Sequence, residues 1–92
     1  MAAIDLSFVK EENVWVADME SPGKCIVQIE RMESGWTTVF TKIDDLRFAE
    51  VADFPDGSYK SEVIFELNIP AGMNIRIQSN KEVKNAKYIV EE

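Results

Sequence analysis

The carboxylates are the first residues to test for chemistry. The chain has 17 Asp and Glu among its 92 residues, gathered at Asp44-Asp45, at Asp53-Phe54-Pro55-Asp56-Gly57 and at Glu11-Glu12. Each cluster reads as short, loop-placed and rich in the oxygen donors that Ca²⁺ accepts. None has the spacing of an EF-hand or a repeat-type calcium loop, and acidic residues gather in turns for solvation and local hydrogen bonding. Asp44/Asp45 and Asp53/Asp56 therefore stand as weak calcium candidates, and no metal or other cofactor is expected. A glycosidase-type pair needs two carboxylates facing each other across a cleft, for which so small a domain has little volume. Cys25, the single cysteine, has Lys24 as its one nearby basic residue and lies within the apolar run Cys25-Ile26-Val27-Gln28-Ile29, so it reads as a buried hydrophobe. The sequence has no histidine, which removes imidazole bases, Cys–His pairs and histidine-ligated metals. The expectation is a protein that is not an enzyme.

Binding remains, and the aromatic residues are its candidates. Trp15, Trp36 and Tyr59 are the rings least committed to a core and best able to act as surface anchors. Trp15 shares a strand face with Ala17 and Met19, while Val14 and Val16 make the opposite face apolar as well. A strand apolar on both sides in a small domain points to a face covered by another chain, and Val63-Ile64-Phe65 repeats the pattern. The expected contact is thus built from Trp15, Ala17, Met19 and Trp36, with strand-edge pairing beside it. Trp15, Trp36 or Tyr59 stacking on a sugar ring is the alternative. Ten Lys and Arg leave a net charge of −7, which argues against a nucleic-acid surface, since that affinity rests on cation density.

The elements positioning these residues read as strands. Period-two alternation runs through residues 13–20, 63–69, 75–78 and 88–91, and β-prone stretches at 25–32 and 35–41 complete the set. Ser21-Pro22-Gly23-Lys24 has the pattern of a type II turn, Pro55-Asp56-Gly57-Ser58 that of a hairpin turn, and Pro70-Ala71-Gly72 that of a turn or corner. Residues 43–52 are open to a short helix or to a turn at Asp44-Asp45 followed by an edge strand; the strand is favoured because so short a helix is marginal. Residues 1–92 should form a single domain. Its expected fold is an all-β, small antiparallel sandwich of seven or eight strands, jelly-roll or Greek-key in connection. No signal peptide or membrane span is visible, so a soluble chain made in the cytoplasm is expected.

Four blocks resemble small all-β proteins encoded among the virion structural genes of tailed phages and prophages: Ala3-Ile4-Asp5-Leu6-Ser7-Phe8-Val9, Asn13-Val14-Trp15-Val16-Ala17-Asp18-Met19-Glu20, Val27-Gln28-Ile29-Glu30-Arg31 and Lys87-Tyr88-Ile89-Val90. The resemblance implies a non-catalytic virion or assembly role, carried out as a homo-oligomer or with other virion proteins, and transfers no catalytic residue. The segment from Pro70-Ala71-Gly72 to Ile75-Arg76-Ile77-Gln78-Ser79 is similar to the penultimate strand of sugar-binding jelly rolls, which keeps a carbohydrate-binding module as the alternative function.

Overall fold

The computed structural model describes residues 2–53 and 61–91. The described chain is all-β, and among the described residues no helix is long and apolar enough to cross a membrane. The strands are β1 (Ile4–Asp5), β2 (Val9–Glu11), β3 (Val14–Glu20), β4 (Lys24–Arg31), β5 (Thr37–Lys42), β6 (Ala49–Asp53), β7 (Glu62–Asn68), β8 (Asn74–Ser79) and β9 (Val83–Val90). Six match stretches read from the sequence; β9 begins five residues before the stretch read at 88–91, and β1 and β2, of two and three residues, are too short to show a period. The favoured reading of residues 43–52 agrees with the structure: the Leu46 amide donates to the Ile43 carbonyl across a turn at Asp44-Asp45, and β6 follows as an edge strand.

The strands form two antiparallel sheets, ordered β1-β9-β4-β7 and β2-β3-β8-β5-β6. The pairing is nested: β1 with β9, β3 with β8, β4 with β7 and β5 with β6. Period-two alternation then decides what is inside. Cys25, Val27 and Ile29 of β4 lie opposite Leu67, Phe65 and Val63 of β7, and Ile75 and Ile77 of β8 lie opposite Met19 and Ala17 of β3. Apart from Ala17, the buried members of these rows join Val39, Ile69 and Ala86 in one apolar cluster drawn from both sheets. The arrangement is sandwich-like, because each sheet buries one face against the other.

Turn chemistry fixes the two ends. Gly23 and Gly72 have φ of 98° and 92°, the region where glycine lacks the steric cost of other residues, as a type II turn requires at its third position. Ser21 ties these turns together: its amide donates to the Met73 carbonyl at 2.7 Å, its carbonyl accepts from the Gly72 amide at 2.9 Å, and its hydroxyl donates to the Ile69 carbonyl at 2.7 Å. At the other end Gly35 is needed for space, since a Cβ there would strike the Asn80 amide oxygen and come within 2.6 Å of Lys81 Cγ. That Asn80 oxygen accepts from the Trp36 amide at 2.6 Å, so moving it aside breaks a bond. Gly35→Ala should therefore cost roughly 1–3 kcal/mol by overpacking, read as a lower urea midpoint with an unchanged slope.

Candidate functional site

The register turns the face carrying Trp15, Ala17 and Met19 toward the opposite sheet. Ala17 is 1% exposed and lies opposite the fully buried Ile77, and Met19 packs against the core. Trp15 sits half-buried at the strand's start with the Lys10 ammonium 5.4 Å from its ring centre. Val16 faces the other way yet is 4% exposed, being flanked in the sheet by Val9 and Gln78. The Ala17 and Met19 side of this strand is thus covered within its own chain. Trp36 is 47% exposed, but the depression that Trp15 lines with Lys10, Met32 and Asn80 does not include it. Tyr59 lies outside the described residues, as does the expected hairpin turn at Pro55-Asp56-Gly57-Ser58.

Exposed large apolar residues occur on both sheets and in the turn after β5, with Val9, Ile43, Leu46 and Val51 among them; one group of three isoleucines, Ile64 exposed and Ile26 and Ile89 half-buried, gathers on the β1-β9-β4-β7 sheet. On β4 the outward residues are Lys24, Ile26, Gln28 and Glu30. Ile26 lies directly opposite Ile89 of β9, and Gln28 directly opposite Ile64 of β7. Ile26 and Ile64 are then diagonal neighbours, within reach of long side chains. Ile64 is 64% exposed, and the three isoleucines line one shallow depression together with Ala3, Gln28 and Lys87. The sequence marked this surface only at Ile64, within Val63-Ile64-Phe65. Ile26 and Ile89 could have been added by noting that each interrupts a run whose neighbours already supply the core.

Charge surrounds this patch unevenly. Lys24 lies 3.4 Å from Glu91 and 3.8 Å from Glu66, and Lys87 lies 3.1 Å from Asp5. Glu30 and Glu62 face each other across β4 and β7, a like-charge placement that destabilises a sheet. Glu30 accepts from the Asn85 amide at 3.1 Å and Glu62 from the Ser61 hydroxyl; neither forms an ion pair with a described lysine or arginine. Glu62 also feels the buried Arg31, whose guanidinium burial pushes down from its ordinary range while the Glu62 charge pulls it back. Arg31 donates to the Thr37 hydroxyl at 2.6 Å.

The outer face of the second sheet is occupied from within. Arg76 holds Asp18 through two bonds of 2.8 and 3.1 Å, which keep its guanidinium protonated above its ordinary range. The Phe48 ring carries Arg76 at 4.7 Å and Lys42 at 4.9 Å from its centre. Cys25 is fully buried, and burial first, then the nearby Glu91 charge, pushes its thiol up, the opposite of nucleophile activation. Among the described residues no three Asp, Glu or Cys come together as a metal site. Asp44 and Asp45 are exposed in the turn after β5, Asp53 is exposed at the end of β6, and Asp56 lies outside the described residues.

What fold and surface define is a class: an all-β protein of two antiparallel sheets with an apolar patch on the outside of one of them. Compared with protein-family models, curated proteins and solved structures, the chain matches none.

Proposed function

We propose that this chain is a non-catalytic structural or assembly component of a phage virion that acts through protein–protein association, with copies of itself or with other virion proteins. The carrying observation is the convergence of Ile26, Ile64 and Ile89 on one outward sheet face. An exposed apolar patch with a polar rim is how association surfaces are built. A jelly-roll connection belongs to the same reading, supported by the nested pairing: β1-β9-β4-β7 and β3-β8-β5-β6 are the two sheets of one long hairpin rolled over, with β2 added at an edge. Folds of this type include viral capsid and lectin domains, an analogy at the level of fold alone.

A photo-crosslinking residue placed at position 64, against one at position 50 on the outside of the other sheet, tests the contact in the cells that make the protein. An adduct is expected at 64 and not at 50, in material sedimenting with particles; an adduct of twice the chain's mass is self-association. Equal labelling at both positions, or none at either, removes the reading. A carbohydrate-binding role is the second reading, favoured by the exposed indole of Trp36, and it requires glycan binding that Trp36→Ala abolishes.

A further inference from the structure

The charges around the isoleucine patch distinguish among partners for it. The two lysines on this face already hold Glu66, Glu91 and Asp5. Glu30 and Glu62 remain directly opposed across β4 and β7, two residues along their strands from Gln28 and Ile64, or about 7 Å from the apolar centre. Arg31 acts on Glu62 from the buried side and Asn85 donates to Glu30, but the outward side of this like-charge row faces no described cation, and a cation placed over it there lowers the repulsion. A second copy laid on the same face brings an identical acidic row and a further net charge of −7. Its lysines are engaged in the same way, so self-docking here brings together two faces that each carry more carboxylates than lysines. An anionic membrane surface or a nucleic acid is repelled for the same reason.

We propose that the outer face of the β1-β9-β4-β7 sheet docks a different protein chain, one whose contact strip is apolar and flanked by lysine or arginine. This rests on the association reading above and names its partner by chemistry. The apolar strip covers Ile26, Ile64 and Ile89, and the flanking cations sit over Glu30 and Glu62.

The test uses three labelled nine-residue peptides in which isoleucine alternates with lysine, serine or glutamate, titrated with the full chain and followed by fluorescence anisotropy. The lysine peptide is expected to bind about tenfold more tightly than the serine peptide, and the glutamate peptide more weakly than either. Glu30→Gln with Glu62→Gln should abolish that preference. Asp44→Asn with Asp45→Asn removes the same charge from a distant turn and should preserve it. Ile64→Ser should weaken every peptide about tenfold while the chain still unfolds in one cooperative transition.

If all three peptides bind alike but still require Ile64, the basic partner is wrong and association through this face stands. If the asparagine variants lose as much as the glutamine variants, the attraction is to an acidic chain at large and the proposal is overturned. If the chain alone forms a dimer in light scattering that Ile64→Ser dissociates, the occupant is a second copy and the proposal falls while association survives. If no peptide binds and position 64 gives no adduct, both fall.

Discussion

Replacing Phe65 with alanine is expected to destabilise the chain by about 3–5 kcal/mol, whereas Ile64→Ser, one residue away, should change stability by less than about 1 kcal/mol. The two side chains leave β7 on opposite faces. Phe65 is 7% exposed and belongs to the cluster built by both sheets, while Ile64 is 64% exposed. Truncating the phenyl ring removes apolar burial and leaves a cavity that close-packed neighbours fill only in part. Truncating the isoleucine removes surface that water already reaches. Urea unfolding of both variants, compared at equal slopes, makes the measurement. A loss at 64 matching the loss at 65 would place the isoleucine in the interior and remove the contact face with it. The contrast also bears on the proposed function: association through this face requires an isoleucine at 64 that contributes little to folding.

The strands of this fold were legible where alternation ran long enough, and the turns where proline and glycine had no other use. Residues 63–69 show a period of two broken only at Ile64, and Gly23 follows Pro22 where a type II turn needs a positive φ. The direction in which a strand faces was harder to read. Val14 and Val16 on one side of β3 compete with Trp15, Ala17 and Met19 on the other, and hydrophobicity alone does not choose between them. The choice is made by β8, whose fully buried Ile75 and Ile77 lie opposite Met19 and Ala17, nearly sixty residues further along the chain. The isoleucine patch was legible only residue by residue, at Ile64, and not as a patch. Ile26, Ile64 and Ile89 come from three strands, and no local pattern brings them together; the order β9-β4-β7 and its register do. Information of this kind lies in long-range pairing, which sequence periodicity leaves open.

Ala17→Asp is expected to leave the chain largely unfolded at neutral pH. Ala17 is 1% exposed and lies between the two sheets opposite Ile77. A carboxylate there is taken out of water with no cation or donor placed to receive it, at a cost of several kcal/mol, against a total stability of about 5–15 kcal/mol for an ordinary domain. Far-UV circular dichroism and the dispersion of amide proton resonances report the outcome directly. The same substitution separates the two roles open to this face of β3. Were Trp15, Ala17 and Met19 the surface that meets another chain, Ala17→Asp would give a folded protein that had lost only its partner. Because the face packs against the core, the substitution removes the fold, and any loss of association follows from that. Ile64→Ser has the opposite signature, a folded chain with weakened association. The pair of variants therefore assigns the inner role to β3 and the outer role to β4, β7 and β9, and a folded, dispersed spectrum from Ala17→Asp would reverse the assignment.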